Sequence, residues 1–127
     1  MSQGILEHVN LTVADPKRTA DQLVRLFGWK IRWEGPSMSG GHTVHVGTDD
    51  AYLAVYSPGD AEAPNQSNYA VKGGLNYVGV LVDDLEAAEA RVTEAGFETF
   101  NHMDYEPGRR FYFNDADGIE FEVVSYA

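Results

Sequence analysis

The sequence predicts an α+β fold: two βαβββ modules forming a curved mixed sheet with the helices outside. Three observations carry this. The order strand, helix, three strands occurs twice. An offset of 69 residues aligns Gly4 with Gly73, Leu6 with Leu75, Val9 with Val78, Val13 with Val82 and Asp15 with Asp84. After a one-residue slip Gly28 aligns with Gly96, so both helices stop at a glycine. The expected organisation is a single domain, with module one over 4–57, a linker over 58–72 and module two over 73–126.

Each element has a local reason. From Ile5 to Val13, apolar Val9, Leu11 and Val13 alternate with His8, Asn10 and Thr12, the period of a half-buried strand. Asp15-Pro16 then opens a helix: the carboxylate accepts first-turn amides and proline tolerates the first helical position. Ala20, Leu23, Val24 and Phe27 recur at helical spacing, and Gly28 supplies the left-handed stop. Trp29–Glu34, His42–Thr48 and Ala51–Ser57 are short and β-rich, separated by Gly35-Pro36, Ser39-Gly40-Gly41 and Asp49-Asp50. Ser57 to Lys72 is poor in apolar residues and reads as a linker or surface loop. The second module repeats the order. Gly73–Val82 is a strand, and Asp83 with Glu86 forms a capping box before Leu85, Ala88 and Val92. Gly96 stops this helix. Phe97–His102, Arg109–Asn114 and Ile119–Tyr126 complete the set. Asp115-Ala116-Asp117-Gly118 turns between the last two. It resembles the start of a calcium loop, but Ile119 and Phe121 stand where further ligands would be needed. Glu106-Pro107-Gly108 reads as a mobile loop.

Composition narrows the function. The chain has 127 residues, 43% of them hydrophobic and 12% aromatic, enough for a packed core. Its net charge of −11 shows no basic footprint for nucleic acid and would repel anionic membranes. The absence of cysteine excludes disulfides and thiolate metal sites. No basic flank precedes an apolar run near Met1, so a cytoplasmic location is the expectation.

A βαβββ unit covers one face of its sheet with a helix and leaves the other open, so two units predict a cup. Alternation assigns its lining. Val9, Leu11, Val13, Val78, Val80, Val82, Phe121 and Val123 pack under the helices. His8, Asn10, Thr12, Thr43, His45, Tyr52, Ala54, Tyr56, Tyr77, Glu120, Glu122, Val124 and Tyr126 face the cup, as do Arg110, Tyr112 and Asn114. This surface is polar and tyrosine-rich where a dry core would be aliphatic, which fits a ligand pocket or a solvent-facing sheet. The candidate ligand-binding residues are Asn10, His45, Tyr52, Tyr56, Tyr77, Arg110 and Tyr112. Trp29, Ile31 and Trp33 fall on one strand face and read as core or subunit interface. Arg109 or Arg110 could hold an anion.

Leu6-Glu7-His8-Val9-Asn10-Leu11-Thr12-Val13 resembles the first strand of the vicinal oxygen chelate superfamily, as does Leu75 to Leu85. Phe111 to Val123, with Asn114-Asp115-Ala116-Asp117-Gly118, resembles the closing hairpin of that superfamily. The resemblance spans nearly the whole chain. It implies membership among glyoxalases, extradiol dioxygenases, and bleomycin- and fosfomycin-resistance proteins. It also implies a homodimer and a divalent metal (Zn, Ni, Fe or Mn) at positions carried onto His8, Ala54, Tyr77 and Glu122. Of these, His8 and Glu122 are of the usual ligand types. Ala54 has no donor and Tyr77 could ligate only as a phenolate. Alternation offers His45 as a third ligand, and the strand phase leaves His102 less well placed.

Two functions follow. In the first, a metal on His8 and Glu122, with His45 or Tyr77, polarises a substrate oxygen in a glyoxalase-like lyase or isomerase. Glu122 is then the catalytic carboxylate that moves the proton. In the second, a metal-free protein holds a small organic molecule between tyrosines. A partner-binding module ranks third. His8 also fits a hydrogen-bonded interior histidine, and Glu122 a pair with Arg110 or Tyr112 across the hairpin.

Overall fold

The computed structural model describes residues 2–105 and 108–127. Two compact units emerge, Met1–Glu62 and Ala63–Ala127, here called module one and module two. Each carries its own four-stranded mixed sheet and one α-helix, so the βαβββ order holds in both.

In module one, β1 (His8–Thr12) is followed by α1 (Pro16–Phe27), β2 (Lys30–Pro36), β3 (His42–Gly47) and β4 (Tyr52–Ser57). The sheet order is β1-β4-β3-β2, with β1 parallel to β4 and the other pairs antiparallel. Asp15 caps α1 by accepting from the Arg18 amide, with Pro16 at the first position. Gly28 closes the helix at φ 69°, a left-handed conformation that a Cβ would oppose. Ala20, Leu23 and Leu26 pack onto Val44, Val46, Leu53 and Val55, all buried. Burying each such side chain stabilises by about 1.5–3 kcal/mol.

Module two repeats this with β5 (Val78–Leu81), α2 (Leu85–Glu94), β6 (Thr99–Tyr105), β7 (Gly108–Asn114) and β8 (Glu120–Ser125), in sheet order β5-β8-β7-β6. Its core is aromatic: Phe111, Phe113 and Phe121 are fully buried beside Val92 and Val123. The Phe113 and Phe121 rings stack at 5.1 Å. The Asp115 carboxylate accepts from the amides of Asp117 and Ile119, so the segment is a turn.

Several sequence expectations are corrected. The cap of α2 is Asp84, not Asp83, and its carboxylate accepts from the Ala87 amide. The repeat itself pairs Asp84 with Asp15. β5 begins at Val78, not Gly73, because its partner β8 meets it first at Phe121. The preceding residues turn back instead, with the Asn68 side chain donating to the Leu75 carbonyl after a single 3-10 turn at Asn68–Ala70. β6 starts at Thr99 and runs on to Tyr105. Of the predicted loop Glu106-Pro107-Gly108, Glu106 and Pro107 lie outside the described residues, and Gly108 begins β7.

The shared strand face of Trp29, Ile31 and Trp33 is also overturned. A bulge breaks the β2–β3 register, so Ile31 pairs with Val46 on the helix side while Trp33 pairs with His45 on the opposite side. Trp29 stays with the helix, its ring 5.4 Å from Phe27. No helix among the described residues is long and apolar enough to cross a membrane.

Candidate functional site

On the face of module one opposite α1, register brings together His8, Asn10 and Thr12 of β1, Tyr52, Ala54 and Tyr56 of β4, and Thr43 and His45 of β3. The bulge adds Trp33. Their rings form a column. His8 stacks on Tyr52 at 4.9 Å, Tyr52 on His45 at 4.5 Å, and Trp33 lies 5.0 Å from His45. The Arg32 guanidinium sits 4.5 Å from the Tyr52 ring centroid, within cation–π range. Trp33 keeps half its surface exposed. Beside the column, the Tyr56 hydroxyl donates to the Met38 carbonyl. The Thr43 hydroxyl is buried with no hydrogen-bond partner among the described residues.

Charged and titratable groups crowd this column. His8 Nδ1 lies 2.9 Å from a Glu7 carboxylate oxygen. Burial, then the neighbouring His8 and Arg32 charges, push the His45 imidazole below the ordinary histidine value, with Glu7 pulling the other way. His45 is therefore a neutral aromatic ring at neutral pH.

The equivalent face of module two is built differently. The Tyr112 hydroxyl donates to Glu122 Oε2 at 2.6 Å, and Arg110 Nη1 lies 3.6 Å from the same oxygen. Glu122 is buried at 8% exposure, so the carboxylate is both dry and paired. The hydrogen bond to Glu122, reinforced by burial, raises the Tyr112 phenol far above its ordinary value and keeps it protonated. Tyr77 meets Tyr112 edge-on at 5.7 Å, and Phe100 stacks on Tyr112 with ring centres 6.1 Å apart. Arg110 lies 4.8 Å from the Tyr105 ring, and its buried Nε has no partner among the described residues. Glu120 accepts from the Tyr69 hydroxyl.

Neither module by itself assembles a donor set for a divalent ion. In module one, β4 separates the strands of His8 and His45, and the Tyr52 ring stands between the two imidazoles. Ala54 offers no donor. In module two, Glu122 Oε2 is engaged by Tyr112 and Arg110. Among the described residues no three His, Asp or Glu side chains are grouped so as to hold a metal. Catalytic zinc sites generally use three protein ligands, so the fit is poor.

Two clefts lie elsewhere. One of about 590 Å³ is bounded by Asp15, Pro16, Pro36, Gly41, His42 and Ser57. The other, about 240 Å³, is bounded by Leu85, Glu86, Glu89, His102, Met103 and Arg109, with Arg110 also in its wall. Sequence reasoning missed Trp33, Arg32, Phe100 and Tyr105 as parts of these surfaces. No residue type announces the β2 bulge, and Phe100 precedes a second one in β6.

A family model described as the glyoxalase/bleomycin resistance protein/dioxygenase superfamily matches residues 5–123. No curated protein matches the sequence significantly. Among solved structures, a glyoxylase/bleomycin resistance protein/dioxygenase domain from Frankia sp. EAN1pec aligns with a TM-score of 0.80 at 21% identity, covering 98% of each chain. TnmS3, an antibiotic binding protein from Streptomyces sp. CB03234, aligns at 0.74 and 19% identity, also covering 98% of each chain. The fosfomycin resistance protein FosX from Listeria monocytogenes, complexed with Mn(II) and sulfate, aligns at 0.74 and 17% identity, covering 98% of this chain and 93% of that one. At these identities the likeness carries the fold.

Proposed function

The chain belongs to the glyoxalase/bleomycin resistance protein/dioxygenase superfamily, and from that premise we propose that it is a metal-free binding protein for planar, aromatic small molecules. The column Trp33–His45–Tyr52–His8 is the observation that carries this reading. Stacked rings with exposed area at one end offer a further ring a face, and each aromatic pair contributes about 0.5–1.5 kcal/mol beyond its buried area. TnmS3, an antibiotic binding protein with the same fold, supports a small-molecule-binding reading. The net charge of −11 favours neutral or cationic ligands over anionic ones. In module two, Glu122, Arg110 and Tyr112 form a polar face of their own, on which Glu122 serves a ligand as hydrogen-bond acceptor rather than as general base.

Tryptophan fluorescence tests this, in a Trp29→Phe background so that Trp33 alone reports. Titration with bleomycin and a panel of planar aromatic amines is expected to give saturable quenching. Tyr52→Ala is expected to weaken it by about two- to tenfold, the loss of one stacking contact. Absence of saturable quenching across the panel rejects the proposal. Stoichiometric Mn, Fe, Ni or Zn retained by the protein, and lost in His8→Ala or Glu122→Gln, overturns the metal-free reading in favour of a metal-assisted lyase or isomerase. We also propose a homodimer as the working species; a monomer by sedimentation velocity at micromolar concentration rejects that.

A further inference from the structure

The β6 bulge turns one histidine away from the strand's own alternation. Phe100 pairs with Tyr112 and Met103 with Arg110, so Asn101 and His102 together oppose the single residue Phe111. Asn101 takes φ 51°, a left-handed conformation that asparagine tolerates better than most residues. His102 consequently points toward α2. Its Nε2 meets Glu89 Oε2 at 2.6 Å, and the Thr99 hydroxyl donates to the same oxygen at 2.6 Å. The imidazole lies over Phe111 at 6.3 Å. Those bonds hold the Glu89 carboxyl below its ordinary range. One residue later Met103 is back in the ladder, directly opposite Arg110. Arg110 is the cation of Glu122, and its aromatic neighbour Tyr105 lies two residues beyond Met103 on the same strand. Among the described residues, the other charges near His102 are Glu86, which is paired with Arg109, and Asp104.

We propose that His102 is a positioning residue: by tying the β6 bulge to Glu89 of α2, it fixes the β6 register that brings Met103 and the Tyr105 ring onto Arg110, the cation of Glu122. A bulge carries an unpaired residue and a locally disrupted ladder, so an outside anchor decides where the register resumes. The bond from His102 to Glu89, shared with Thr99, is that anchor. This inference rests on the reading that Arg110 and Glu122 face the ligand.

The test uses the full chain and no ligand. The Arg110 Nε–H resonance, identified by its loss in Arg110→Lys, reports whether that buried group stays sheltered. Amide hydrogen exchange reports protection across 99–105. His102→Ala is expected to shift the Nε–H resonance and to speed exchange at both places by at least ~10-fold, as a local opening does. His102→Gln places an amide donor near the position of Nε2 and is expected to stay within ~3-fold of the parent protein. Should His102→Ala fail to fold, Glu89→Leu, which removes the acceptor of the bond, is expected to give a change of the same sign. An unchanged Arg110 signal in His102→Ala, or in Glu89→Leu if the alanine variant does not fold, overturns the proposal. So does a glutamine variant no better than alanine. Because the readout needs no ligand, it can fail while Trp33-dependent quenching stands, and the reverse holds equally.

Discussion

The two modules share a topology but use corresponding ladder positions for opposite chemistry. Ala54 stands between Asn10 and His45, and Glu122 stands between Gly79 and Tyr112, at the same place in each sheet. In module one the short alanine carries no polar group, and the surrounding rings stack on one another. In module two the glutamate draws a phenol and a guanidinium onto itself. One face therefore offers ring contacts and the other hydrogen bonding and charge. The difference teaches that a repeat specifies a backbone and leaves each face's chemistry to a few side chains.

The largest expected effect comes from removing the centre of the second face. Glu122→Ala leaves Arg110, 12% exposed, without its anion and the Tyr112 hydroxyl without its acceptor. Loss of one partner from a buried pair costs about 3 kcal/mol. Urea unfolding should show a lower midpoint with an unchanged slope. The double variant Glu122→Leu with Arg110→Met should recover most of that loss, since apolar replacement removes both desolvated charges. If the double variant is as unstable as the single one, packing rather than charge holds this face together.

A smaller effect is expected from making the modules alike. Ala54 is 3% exposed, so Ala54→Glu forces a long side chain and a carboxylate into a filled space. The expected cost is about 2 kcal/mol from overpacking. The column should also loosen, so Trp33 quenching should weaken. A cost under about 0.5 kcal/mol with quenching intact would mean that the two faces are interchangeable.

The fold was legible in the sequence because it rests on features that repeat. Asp15 and Asp84 cap, Gly28 and Gly96 stop, and alternating valines mark the buried strand faces. The alternation also placed Tyr52, Tyr56, His45, Tyr112 and Glu122 on the faces opposite the helices. It failed at Trp33, and left the phase of His102 open, for one physical reason. A bulge adds a single residue and inverts the side-chain phase beyond it, and neither Arg32 nor Asn101 signals that by type. Strand ends at Val78 and Thr99 were misjudged because a strand ends where its partner does, which local sequence does not record. Pairing was foreseeable only as an alternative: Glu122 with Arg110 or Tyr112 was one reading of the hairpin, and the structure makes both contacts.

The smallest effect concerns His45 and sharpens the contrast in charge. Its imidazole is held below the ordinary value of 6.5, by burial first and then by His8 and Arg32. In the unfolded chain that restraint is gone, so as pH falls below about 6.5 the unfolded state binds the proton more readily than the folded one. Stability linked to this residue is present above that pH and is lost as pH falls through the unfolded value toward the depressed folded one. His45→Gln removes the titrating group. The thermal midpoint of this variant should therefore fall less steeply between pH 7.5 and about pH 5 than that of the parent protein. Equal slopes would show that His45 accepts a proton in the folded column as easily as in the unfolded chain. The first face would then add an imidazolium to the Arg32 guanidinium at mildly acidic pH, and a neutral ring at its centre would no longer set it apart from the Glu122 face.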